Sequence, residues 1–249
     1  PRIIKYFGRG ETFLKRSLKF FGVTESKLNT LLADLSWSSD SYRISSLPHF
    51  PEVEIKIIAW GGSPEEVERI LNNVENMIRE RAGSYIYGTD SQTLEERVGA
   101  LLRERKMTLA VAESCTGGLI GDMITKVPGS SDYFERGLVT YSNRAKIELL
   151  GVPEEVLRRH GAVSESTARA MAKGVRERSR TSIGLATTGI AGPTGGSPEK
   201  PVGTVFIAVT DGDKTICKRY QFGGDRLRIK ALTASVALES LRRFLLGQE

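Results

Sequence analysis

From Thr93 onward, segments with helical and strand periodicity alternate, and two strand-like runs then follow one another before a last long helix. The helices are expected at residues 93–102, 116–126, near Ala145 and Pro153, at 164–178 and at 225–246. The strands are expected at 107–112, 137–141, 181–186, 204–210 and 215–222. A helix between two strands carries the chain across the sheet, so such alternation builds a largely parallel sheet with both faces covered. The two successive strands add an antiparallel edge. The pattern therefore predicts a three-layer α/β/α domain on a mixed sheet.

Residues 1–90 read separately, as a smaller α+β unit. A strand is expected at 2–7, and a helix at 11–21 with Phe13, Leu14, Leu18 and Phe21 on one face. A second helix is expected at 26–35. Val53, Ile55 and Ile57 alternate over 52–59, which is strand period. The sharpest local signal follows: Ser63 as N-cap, Pro64 at the first helical position and Glu66 completing a capping box. Val67, Ile70, Leu71, Val74 and Ile78 form the apolar stripe of that helix, and Gly83 should stop it. The polar stretch 88–91 marks the boundary, so domains are expected at 1–90 and 91–249.

Composition narrows the function classes. With 39% hydrophobic and 27% charged residues in 249, the chain is an ordinary globular one. It has no apolar run of eighteen and no charged-then-apolar leader, so no membrane partner or export is expected. The two cysteines, Cys115 and Cys217, offer neither a disulfide framework nor a metal spacing, which suits a reducing cytoplasm. The net charge of +6 is concentrated beyond residue 106, where 20 Lys and Arg face 15 Asp and Glu. A solvated basic surface fits this, as does an anionic small ligand in the second half, or nucleic acid on the first.

The segment TLAVAESCTGG puts Ser114 where an apolar strand turns into a helix. Such a serine either caps the helix or projects a nucleophilic hydroxyl beside helix N–H groups that could hold an oxyanion. A nucleophile needs a base. The chain has two histidines; His49 lies in the first unit and His160 at a helix end, so a Ser-His-Asp arrangement has little support. A lysine of lowered pKa is the other known solution. Lys146 in VTYSNRAK follows a strand end by about one helical turn and can point back over the sheet edge; a surface helix lysine would look the same. TTGIAGPTGGSPEKPVGT is a glycine-rich loop able to approach a ligand closely, and GGDRLRIK sets Arg226 at the start of the last helix, as a phosphate holder or an exposed arginine.

Taken in order, AESCTGG, VTYSNRAK, GAVS, TTGIAGP, KPVGTV and GDR resemble the C-terminal domain of the competence/damage-inducible CinA family, the nicotinamide-nucleotide amidases. Residues 1–90, with LPHFPEVEIKI and GSYIYGTD, resemble the KH-like middle domain of the longer CinA proteins. The resemblance implies a Ser/Lys amidohydrolase acting on nicotinamide mononucleotide, with Ser114 as nucleophile, Lys146 as base and Tyr141 in support. Thr116, Thr188, Gly189 and Arg226 would meet the substrate, with Arg226 on the phosphate. It implies no metal and no cofactor, and a homo-oligomer, most simply a dimer. The first unit lacks a G-x-x-G loop, so nucleic acid is not the expected partner. The alternative is a CinA-like interaction protein in DNA uptake or repair with a vestigial pocket.

Overall fold

A computed structural model describes residues 12–248, which form two compact units meeting between Thr93 and Leu94. The first carries a four-stranded antiparallel sheet of β1 (Thr12–Phe21), β2 (Tyr42–His49), β3 (Glu52–Gly61) and β4 (Ile86–Thr89), in the order β2-β3-β1-β4. Helices α1 (Glu25–Leu31) and α2 (Pro64–Ala82) complete it, and α2 packs on β1 and β3. The Ser63 hydroxyl accepts from the Glu66 N–H, as the capping pattern requires. The Glu66 carboxylate reaches back to Gly62, one residue before the cap. Val67, Leu71, Val74 and Ile78 are buried against Leu14, Leu18, Phe20, Ile55 and Ile57.

The helix expected at 11–21 is instead the central strand β1. Leu14, Leu18 and Phe20 alternate onto the buried face, and Arg16 in the same row reaches Glu68 and Glu75 on α2. Those carboxylates lie more than fifty residues away, so the pairing that stabilises Arg16 on the inner face could not be read locally. The helix expected at 26–35 starts at Glu25 behind the Thr24 cap and is shorter. Strands β2 and β4 were not expected, and the strand expected at 2–7 lies outside the described residues.

The second unit is the three-layer domain. Its sheet runs β6-β5-β7-β8-β9, with β5 (Leu109–Glu113), β6 (Phe134–Val139), β7 (Ile183–Gly189), β8 (Thr204–Thr210) and β9 (Thr215–Gln221). Strands β5, β6 and β7 are parallel, and β8 and β9 run antiparallel. One face is covered by α7 (Glu165–Ser179), backed by α5 (Asn143–Leu150) and α6 (Glu154–His160). The other carries α3 (Leu94–Glu104), α4 (Leu119–Thr125) and α8 (Arg226–Leu246). Burial on both faces explains why β5 and β8 are buried at every position. Among the described residues, no helix is long and apolar enough to cross a membrane.

The order of the strands positions the site. The chain leaves β5 for β6 on one side and later returns to β7 on the other, so the carboxyl end of β5 is a switch point where loops part and a crevice can open.

Candidate active site

Ser114 is the first residue beyond that strand end. Its N–H donates to Thr187 O of β7 at 3.1 Å, and the N–H of Thr140, just beyond β6, donates to Glu113 O at 2.7 Å. The three parallel strands are thus stitched together around Ser114, whose side chain is almost buried. On the β6 side, Ser142 caps α5 by accepting from the Ala145 N–H at 3.0 Å. Helical side chains tilt toward the N-terminus, so Lys146 in the first turn of α5 points back at the strand ends.

The Lys146 amine lies 3.1 Å from Ser114 Oγ, 2.8 Å from Thr140 O and 3.4 Å from Tyr141 O. Lys146 is 1% exposed, and no carboxylate of the described residues lies within ion-pair distance of it. Burial holds its pKa below the ordinary 10.5, because the low-dielectric surroundings penalise the ammonium. Two N–H groups donate to the two carbonyls; toward Ser114 Oγ the ammonium donates a third N–H, whereas the neutral amine can turn its lone pair to accept from the serine hydroxyl. Cys115 next door is 5% exposed, and burial pushes its thiol up to about 12, so it stays protonated at neutral pH.

The helix after Ser114 does not begin where expected. Gly117 and Gly118 take φ of +64° and +99°, and α4 starts only at Leu119. Its leading N–H groups are not open toward Ser114 either. The carboxylate of Glu113, 1% exposed, accepts from Gly118 and Ile120 at 2.9 and 3.1 Å through one oxygen, and from Gly121 at 2.9 Å through the other. Glu113 therefore anchors the Ser114–Gly118 turn from behind, a role that sequence reasoning missed. The available signal was a glutamate ending an apolar strand a few residues before a glycine pair, since a buried carboxylate needs donors. Glu113→Ala should leave these donors without an acceptor and cost about 2–4 kcal/mol of stability, with Glu113→Gln milder. Denaturant midpoints of the two variants and the parent check this, and an unchanged midpoint for the alanine variant would refute it.

The remaining expected residues are placed differently from their anticipated roles. Tyr141 does not reach Ser114 or the Lys146 amine with its hydroxyl; it contributes its carbonyl there, while the ring is 62% exposed. The Tyr141 hydroxyl accepts from Arg226 at 3.0 Å, and Arg226 also donates to Gly192 O at 2.7 Å. The guanidinium, 85 residues from Tyr141 and 34 from Gly192 in sequence, thus ties the Tyr141 segment to the glycine-rich loop. The helix N-terminus beside it is already capped, by Asp225 accepting from the Arg228 N–H. Thr116 and Thr188 are buried: the Thr116 hydroxyl is 3.0 Å from that of Thr187, and the Thr188 hydroxyl donates to Ala162 O at 2.7 Å. Gly189 lacks a side chain for a reason inside the sheet, since a Cβ there would stand 2.6 Å from Val205 Cγ2 and 2.8 Å from Thr204 O. The hydroxyls of Thr116 and Thr188 are thus engaged within the walls of the site, and Gly189 packs closely against β8.

Fold and site together define a three-layer α/β/α protein with a buried serine–lysine pair at the switch point of its sheet. The chain belongs to the CinA family: the CinA C-terminal domain matches residues 91–245, and the damage-inducible protein CinA KH domain matches residues 15–88. It is 51% identical over 231 residues to a CinA-like protein of Syntrophus aciditrophicus, covering 92% of this chain and 55% of the relative. A CinA-like protein of Geobacter metallireducens is 43% identical over 247 residues, covering 99% and 60%. The chain thus spans little more than half the length of these relatives. In solved structures, it is similar to the competence/damage-inducible protein CihA of Agrobacterium tumefaciens, at 43% identity with a TM-score of 0.58. That match covers 59% of this chain and 91% of that one. It is similar also to a CinA superfamily protein of Klebsiella pneumoniae, at 33% identity and a TM-score of 0.60, covering 63% and 99%.

Proposed function

We propose that the second unit is a nicotinamide mononucleotide deamidase that works through Ser114 and Lys146. The observation that carries this reading is the buried Lys146 amine, without a carboxylate partner, 3.1 Å from Ser114 Oγ. A desolvated amine is a base at working pH, where an exposed lysine is not. Neutral Lys146 takes the Ser114 proton as Oγ attacks the carboxamide carbon. The tetrahedral oxyanion is met by main-chain N–H groups of the turn after Ser114. Gly117 N–H is engaged by Ser114 O and Gly118 N–H by Glu113, whereas those of Cys115 and Thr116 meet only the Cys115 sulfur, a weak acceptor that an oxyanion would displace. The ammonium of Lys146 then protonates the departing nitrogen, and ammonia leaves. Water, deprotonated by Lys146, attacks the acyl-serine carbon, and Ser114 departs with its proton restored, giving nicotinate mononucleotide.

The positive charge on the pyridinium nitrogen makes the carboxamide carbon a better electrophile, which favours the nucleotide over free nicotinamide. The test is ammonia release on incubating the purified chain with nicotinamide mononucleotide, followed beside formation of the nicotinate product. Stoichiometric release of both supports the reading; no turnover by folded protein would overturn it.

A further inference from the structure

Two cations stand one turn apart near the start of α8. Arg226 is engaged, through Gly192 O and the Tyr141 hydroxyl. Lys230 has no carboxylate, carbonyl or hydroxyl partner among the described residues, although it is half-buried. Its Nζ lies 3.5 Å from the point that a Cβ on Gly117 would occupy, so the ammonium rests against the bare backbone of the turn that follows Ser114. It helps to wall an open cleft of about 370 Å³, together with Thr116, Gly117, Gly118, Asp122 and Leu227. The Asp122 carboxylate in that wall is neutralised by Lys126 at 2.6 Å, and Glu113 is turned inward onto the α4 N–H groups. Lys230 is therefore the cation of the cleft left without a counter-charge. Apolar surface borders the same turn: Leu227 is 75% exposed, and Val139 at 49% lies 3.7 Å from a Cβ placed on Gly118.

We propose that Lys230 and the Gly117–Gly118 turn form the subsite for the phosphate of the nucleotide, while Arg226 is a positioning residue that holds Tyr141 and the glycine-rich loop. The assignment rests on the deamidase reading for the identity of the substrate. An acyl group on Ser114 Oγ leaves the rest of the substrate over the residues that follow Ser114, and there the flat faces of the aromatic ring meet Leu227 and Val139 and a dianion meets Lys230. A lysine serves phosphate as a point charge, and the two glycines, held at positive φ, leave room for it to approach.

The test is calorimetric titration of the full chain with three probes: nicotinamide mononucleotide, the nucleoside lacking phosphate, and inorganic phosphate. Lys230→Ala should weaken the nucleotide about ten- to a hundred-fold, abolish detectable inorganic phosphate binding and leave the nucleoside unchanged. Lys230→Arg should restore most of the affinity. Arg226→Ala should weaken nucleotide and nucleoside by similar factors, because it loosens the site and does not touch the phosphate. In turnover, Lys230→Ala should raise KM with little change in kcat. Equal losses on both substrates in Lys230→Ala, or no loss, would overturn the subsite even where the parent releases ammonia. A parent that binds neither nucleotide nor inorganic phosphate also overturns it. Phosphate-dependent binding lost in Lys230→Ala, in a parent that releases no ammonia, would sustain the subsite and refute the deamidase.

Discussion

Ser114→Ala is expected to reduce deamidation of nicotinamide mononucleotide by about 10⁴-fold or more, while Cys115→Ala retains most of the activity. Chemistry alone would favour the cysteine, as the more reactive of two adjacent nucleophiles. Its surroundings reverse that preference. The Cys115 thiol is buried with its pKa pushed up to about 12, so almost no thiolate forms, whereas Ser114 Oγ has the Lys146 amine at 3.1 Å. Ser114→Ala removes one oxygen from a nearly buried position and should leave the fold intact. Steady-state rates with thermal melts as a folding control make the comparison. An inactive Cys115→Ala beside an active Ser114→Ala would transfer the nucleophile.

The second large effect concerns the base. Lys146→Arg should cost roughly 10²–10⁴-fold in kcat/KM, nearly as much as Lys146→Ala, because a guanidinium cannot accept the serine proton. The parent should show kcat/KM rising with pH through the lowered Lys146 value and levelling above it, since the neutral amine is the active form. The same group sets a trend in stability. Its pKa in the folded chain lies below the 10.5 it recovers on unfolding, so between those two values the unfolded chain binds more protons. Stability therefore carries the full burial penalty below the folded value and rises with pH up to about 10.5. Lys146→Met should remove this upward slope together with the activity. Full activity in Lys146→Arg, or a parent slope that survives in Lys146→Met, would exclude the assignment.

Much of this protein was legible before any coordinates. Period and capping signals lie within one element, so the alternating series from Thr93, the Ser63–Pro64–Glu66 helix start and the hairpin pair β8 and β9 follow from residues a few positions apart. The scarcity of histidine, joined to the resemblance in AESCTGG and VTYSNRAK, pointed to Ser114 and Lys146 together.

What tertiary structure decided depends on contacts between distant segments. Strand β1 carries a helix-like spacing at Phe13, Leu14, Leu18 and Phe21, and only pairing with β3 and β4 holds it extended. The lysine's proton affinity comes from burial at a meeting of β5, β6 and α5, 32 residues from Ser114, and no local pattern encodes that dielectric. The same holds for Arg226, drawn to Tyr141 and Gly192, for Glu113, turned onto α4, and for Lys230, left without a counter-charge. A side chain's identity is written in the sequence; whether it meets water, a carbonyl or a substrate is set by which chain ends the sheet brings together, because burial and hydrogen bonding act over a few ångströms of space.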